Sequence, residues 1–238
     1  MYKTETHLHV SEISPCSQIK AADMIKMYHK AGYKTVFVSD HLKQKYTDSF
    51  GNIPWEDKMT IFMSGYYKAR YEGEKLGMNV LPAAEIAFDE ALSNHYLVYG
   101  ITKEFLISCP NIGMIGIEKF SKIAHENGLF IVQAHPFRDD ESFPTPDFVD
   151  AFEIYNSNPR HKDHSERSEN IAKENNLPIT SGSDAHRTED VGRSGVITGF
   201  EIKTAEDYIN AVKSGALQLI RENIEQASQC ACSALKDI

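Results

Sequence analysis

Short apolar runs alternate along the chain with longer stretches in which apolar residues recur every three to four positions, the pattern of repeated strand–helix units. Tyr2 to Val10 reads as a first strand. Met24, Ile25, Tyr28 and Ala31 then give one apolar face to a helix from Ala21 to Lys30, which Gly32 ends. Thr35 to Ser39 forms a second strand without polar alternation, as expected of a parallel strand buried on both faces. The polar stretch Thr47 to Trp55 delays the next helix, at Lys58 to Leu76, and suits the rim of a site. Further strands are expected at Asn79 to Ala84, Tyr96 to Gly100, from Leu129 through Val132, at Ala151 to Tyr155 and at Pro178 to Ser181. Helices are expected at Ile117 to Asn127, Ser165 to Asn175 and Ala205 to Ser214, with a last one after Glu222.

About seven parallel strands with helices between them predict an α/β fold, and a (β/α) barrel of seven or eight units ahead of an open doubly wound sheet. The choice matters because only a closed barrel gathers every strand's carboxyl end at one mouth. No internal repeat or low-complexity linker divides the chain, so its 238 residues, 41% hydrophobic, read as one domain over 1–238. No G-x-G-x-x-G or Walker pattern supports a nucleotide fold.

A net charge of −9 without any Lys/Arg-rich run argues against long nucleic acid or a membrane surface as partner and leaves small anionic ligands. The start lacks a signal-like apolar stretch, and no run approaches the roughly 18 apolar residues of a membrane span; a cytoplasmic address is expected. Oligomeric state is not set by the sequence. Cys16, Cys109, Cys230 and Cys232 lack C-x-x-C spacing and read as reduced thiols, with Cys16 near the first histidine pair.

Three segments place imidazole beside carboxylate or imidazole where an apolar run gives out. His7 and His9, two apart on a strand, point to one face; Asp40 and His41 close the second strand; Asp184 and His186 repeat the two-apart spacing after the seventh. Singly, each pair could be a cap or a solvated surface group. Together with His135, ending the fifth strand, and Glu85, ending the third, they form a set of the donors that divalent zinc, manganese and iron accept. A carboxylate such as Glu85 or Asp184 can bridge two ions.

The opening H-x-H, the D-H after the second strand, the A-H-P at Ala134 to Pro136 and the G-S-D-A-H at Gly182 to His186, in this order, resemble the PHP (polymerase and histidinol phosphatase) family over nearly the whole length. The resemblance implies a distorted (β/α)7 barrel of PHP type and two or three divalent ions (Zn, Mn or Fe) at the strand ends. It also implies hydrolysis of a phosphate ester by metal-activated water. Carried over by position, His7, His9, His41, Glu85, His135, Asp184 and His186 are metal ligands. His95, in a segment similar to the family's H-x-L-x-Y-G, joins them, although a parallel fourth strand would carry it to the barrel's other end. Where relatives commonly have S-x-x-S-D-G, this chain reads Val10 to Cys16, and Glu12 is the hard ligand available.

Phosphate calls for arginine, and Arg138, Arg160, Arg187 and Arg193 fall in loops on the expected mouth side, Arg160 and Arg193 being preferred both as binders and as catalytic cations. Glu153 and Asn156 resemble an E-x-Y-N segment and read as pocket residues behind the ligands, and Asp40 as a group that orients a ligand or shares protons. His29, His125, His161 and His164 read as solvated, with His161 a candidate substrate contact. The expected substrate is a small phosphomonoester, histidinol phosphate or nucleotide-like. The alternatives are an oligonucleotide phosphodiesterase (exonuclease), a metal-dependent amide or lactone hydrolase, for which no strand-end lysine is read, and a non-catalytic metal-stabilised binding barrel. The last is disfavoured because structural zinc sites are closed and thiolate-rich.

Overall fold

The computed structural model describes residues 1–88, 93–139, 142–162 and 164–221. The helix expected after Glu222, with Cys230 and Cys232, lies outside them. In chain order the elements are β1 (Tyr2–Leu8), α1 (Ala21–Lys30), β2 (Tyr33–Val38), the short β3 (His41–Leu42), α2 (Gln44–Ser49), α3 (Trp55–Leu76) and β4 (Asn79–Ile86). There follow β5 (His95–Tyr99), α4 (Lys103–Ser108), α5 (Ile117–Glu126), β6 (Phe130–Ala134), β7 (Ala151–Asn156), α6 (Ser165–Glu174), β8 (Ile179–Gly182), β9 (Gly195–Thr198), α7 (Ala205–Ser214) and β10 (Gln218–Ile220).

Periodicity explains the helices. In α1 the buried residues Ala21, Met24, Ile25 and Tyr28 fall on one face, and the chain leaves through Gly32 at φ 79°. Each large apolar side chain buried in this way contributes about 1.5–3 kcal/mol. The α7 helix begins at a reciprocal cap, Thr204 accepting from the Asp207 backbone while the Asp207 carboxylate accepts from Lys203 and Thr204.

The strands form a nearly closed barrel sheet in the order β10-β9-β1-β2-β4-β5-β6-β7-β8. It closes where the segment after β8 meets the end of β1: Leu8 bridges Ala185 in parallel, His9 N donates to Ala185 O at 3.0 Å, and Thr6 Oγ1 donates to Ser181 O at 2.7 Å. Phe37, Tyr99 and Phe130 pack in one buried cluster with Tyr208 of α7, whose ring centroid lies 4.7 Å from that of Tyr99.

The wall is not uniformly parallel, as its spacing had suggested. β5 runs antiparallel to both neighbours, pairing Glu85 with Leu97 and His95 with Ala134. The link from β4 to β5, residues 87–94, is too short for a helical crossover, so the chain must reverse. β9 and β10 add two further antiparallel strands at the β1 edge, and α2, α4 and β3 are short elements that periodicity did not reveal. No helix among the described residues is long and apolar enough to cross a membrane.

Candidate metal centre

The two carboxylates at the barrel mouth are ringed by imidazoles. Glu85, buried at the end of β4, has Oε1 2.9 Å from His95 Nδ1 and 3.0 Å from His135 Nε2, and Oε2 2.6 Å from His41 Nδ1 and 3.4 Å from His9 Nε2. Asp184 Oδ1 lies 3.2 Å from His9 Nε2, 3.4 Å from His7 Nε2 and 3.4 Å from His186 Nδ1. Four overlapping triads bring their ligand atoms within 4.8 Å of one another: His9–His41–His186, His7–His9–Glu85, His7–His135–Asp184 and His41–Glu85–His95.

Backbone geometry accounts for the convergence. His7 and His9 share one face of β1 and its extension, and the pairing of β3 with β4 sets His41 directly opposite Glu85. Because β5 is reversed, its first residue, His95, stands at the mouth, which removes the conflict between its strand position and a ligand role. His135 and Asp184 adopt left-handed backbone, φ 30° and 50°, a conformation costing about 1–3 kcal/mol for a non-glycine residue. His135 N donating to Glu153 Oε2 at 3.0 Å helps to hold the first of these. Gly182 leaves no room for a side chain, since a Cβ there would stand 2.5 Å from both Glu153 Oε1 and His7 Cβ.

Burial favours neutral imidazole at His9 and His135, and pushes His41 down to about 4. Burial would raise Glu85, yet His95, His41 and His7 outweigh it and hold the carboxyl well below its usual range; at Asp184, Arg138 and then His7 do the same. His7 is pulled down by burial but raised further by Glu153, Asp184 and Glu85. Its Nδ1 faces Glu153 Oε1 at 2.9 Å, leaving Nε2 toward the cluster. His41 Nδ1, Glu85 Oε2 and Asp184 Oδ1 are buried without an aligned hydrogen-bond partner, an arrangement that is costly unless something else satisfies them. The neutral imidazoles of His9, His41 and His135 and the ionised carboxylates of Glu85 and Asp184, converging in this way, fit divalent cations.

Other expected residues stand behind or around this cluster. Asp40 Oδ1 accepts from Val10 N at 2.9 Å and Ser14 Oγ at 2.7 Å, while Ser14 Oγ sits 3.4 Å from His9 Nδ1 and accepts from His41 N. Asp40 therefore reaches the histidines through Ser14. Glu153 fixes His7, and Asn156 donates to Glu153 Oε2 at 2.9 Å beside a small cavity of about 20 Å³.

Two expected residues are not brought to this cluster. Glu12 is occupied elsewhere: its Oε2 accepts from Ala21 N, at the start of α1, at 2.9 Å, and its Oε1 lies 3.8 Å from Lys68 Nζ. Gly192 and Ser194, which flank Arg193, lie beside Ala31 and Tyr33, at the opposite end of β2 from the cluster, because the loop leading into β9 returns to the start of β1. His125, expected to be solvated and unpaired, contacts Asp150 Oδ2 at 3.1 Å.

Above the cluster opens a cleft of about 300 Å³ lined by Cys16, His41, Lys43, Tyr46, His95, Arg138, Asn158, Arg160, His161, Asp184, His186 and Arg187. Arg138 donates to Asp184 Oδ2, Arg160 grips Asp190 with both terminal nitrogens at 2.9 and 2.7 Å, and Arg187 Nη1 lies 3.9 Å from Glu189. Lys43, one residue past β3, is the strand-end lysine that the sequence reading did not find; its Nζ is 2.9 Å from His95 Nε2. Asn158 and Asp190 are further residues missed, since they carry no motif and act only through partners distant in sequence.

A family model described as PHP-associated matches residues 162–217. Among solved structures, a two-domain protein of Bacteroides vulgatus containing a predicted PHP-like metal-dependent phosphoesterase aligns with a TM-score of 0.70 at 13% identity, over 93% of this chain and 65% of its own length. PsfC from Pseudomonas syringae aligns with a TM-score of 0.69 at 18% identity, over 99% and 97%. An amidohydrolase from Chromobacterium violaceum with bound sulfate and no metal aligns with a TM-score of 0.56 at 14% identity, over 94% and 99%. No curated protein sequence matches. At these identities the structural likeness is one of fold. The chain thus shares the barrel fold of these PHP-like proteins, and at its mouth lies the histidine–carboxylate centre described above.

Proposed function

We propose that the protein is a metal-dependent phosphoesterase acting on small phosphomonoesters. The observation that carries this reading is the pair of buried carboxylates, Glu85 and Asp184, shared among six imidazoles on the floor of a cleft walled by Arg138, Arg160, Arg187 and Lys43. In it His7, His9, His41, Glu85, His95, His135, Asp184 and His186 hold two or three divalent ions of the zinc, manganese or iron type. When bound, such ions polarise phosphoryl oxygens and make water a competent nucleophile near neutral pH. Glu153 keeps His7 Nδ1–H directed away from the centre, Asp40 sets His9 and His41 through Ser14, and Arg138 stands beside Asp184 where phosphoryl charge would gather.

Histidinol phosphate and nucleoside monophosphates are the candidate substrates. A cleft of about 300 Å³ is at the small end of ligand sites, and a net charge of −9 disfavours long polyanions. Amide or lactone hydrolysis is the second reading, favoured by the strand-end Lys43 and the amidohydrolase likeness. Against it, four cations lining one cleft suit a phosphate ester better than a neutral substrate.

The test is a panel of phosphomonoesters, phosphodiesters, amides and lactones assayed with zinc, manganese or iron. Phosphate release from monoesters is expected, abolished by chelation and restored by metal. Asp184→Asn and His135→Ala should each lower turnover by at least about a hundredfold with the far-ultraviolet spectrum unchanged. Metal-replete protein that releases no phosphate from any ester would sink the reading.

A further inference from the structure

The four cations lining the cleft are not equivalent. Arg138 is matched by Asp184, Arg160 by both oxygens of Asp190, and Arg187 by Glu189. Lys43 alone of these has no carboxylate within ion-pair distance among the described residues; its partner is a ring nitrogen of His95, 2.9 Å away. The ammonium is also deep. It is part-buried and touches an imidazole whose other nitrogen is 2.9 Å from Glu85, so it stands directly above the cluster floor and not at the outer rim.

The geometry points to Lys43 as a substrate-binding residue, the cation that takes up the negative charge of the phosphoryl group held over the cluster. This rests on the phosphoesterase reading and adds to it the residue that supplies anion affinity. Arg138, Arg160 and Arg187 are already ion-paired with carboxylates, and an anion pairing with them must compete with Asp184, Asp190 and Glu189 for the same donors. Lys43 has no such carboxylate to give up: its Nζ contacts His95 Nε2, and an ionised phosphoryl oxygen would bring opposite charge to that donor. A second layer of specificity follows from depth: an ammonium in contact with His95, whose other ring nitrogen is 2.9 Å from Glu85, serves the phosphoryl group itself and not a charge on a distant leaving group.

Inorganic phosphate is the probe. Its affinity for metal-replete wild type, Lys43→Met and Lys43→Arg is measured by calorimetry, alongside metal content and steady-state kinetics on the best monoester. Lys43→Met is expected to weaken phosphate binding and raise KM by about tenfold to a hundredfold with metal content unchanged, and Lys43→Arg to lie nearer wild type. Phosphate affinity within about twofold of wild type in Lys43→Met would overturn the assignment. So would a loss explained by altered metal content, which would make Lys43 a residue that shapes the cluster, or a wild type that binds no phosphate. A wild type that binds phosphate through Lys43 yet cleaves no ester would leave the assignment standing and remove the phosphoesterase reading instead.

Discussion

At Gly182 the centre leaves no space for a methyl group, because Glu153 Oε1 and His7 Cβ each come within 2.5 Å of where it would sit. Gly182→Ala is therefore expected to push Glu153 off His7 Nδ1, costing about 1–3 kcal/mol of stability and roughly tenfold to a hundredfold in metal affinity, as read by denaturant titration and metal titration. Wild-type metal affinity in this variant would show that the Glu153–His7 bond does not orient the ring. At this scale the ligand candidates were legible, since two-apart histidines on a strand must share a face whatever surrounds them. The cations were not. Arg160 is bound by a residue thirty positions away, the residues flanking Arg193 lie at the other end of β2, and Lys43 belongs to no motif.

Among the elements, α7 starts on the Thr204–Asp207 reciprocal cap and carries Tyr208 into a core cluster. Thr204→Ala should cost about 1 kcal/mol. Backbone N–H groups of Lys203 and Thr204, with the Thr204 hydroxyl, hold the Asp207 carboxyl below its ordinary value of 3.8. A depressed folded-state pKa contributes stability that is complete above the unfolded value and lost as pH falls through the folded one. The stability difference between wild type and Asp207→Asn should accordingly be constant above about pH 5 and vanish toward pH 2 in denaturant titrations; a difference that persists at the acid end would contradict it. The long periodic helices and the central strands were readable in the sequence within a few residues. The direction of β5 was not read, although the eight residues before it are too few for a crossover, and β9 and β10 escaped because short antiparallel edge strands have little periodicity of their own.

Across the whole molecule, three apolar clusters hold the barrel beneath and around the polar mouth, so burial of apolar surface and not the centre alone sustains the fold. Chelation is expected to lower the melting temperature without unfolding the chain at room temperature, and divalent ions at a hundredfold excess over Kd should add about 2.7 kcal/mol. Complete loss of the folded spectrum on chelation would instead indicate structural ions. The sequence by itself determined the repeated strand–helix units and the supply of imidazoles and carboxylates at strand ends, because hydrophobic period and side-chain alternation are local properties. Only the tertiary structure decided which strand runs backwards, and with it that His95 faces Glu85. It alone also decided that Glu12 belongs to a helix start, and which cation keeps its charge open to a ligand. Those outcomes depend on pairings between segments far apart in the chain, where charge and direction are set by whichever neighbour arrives.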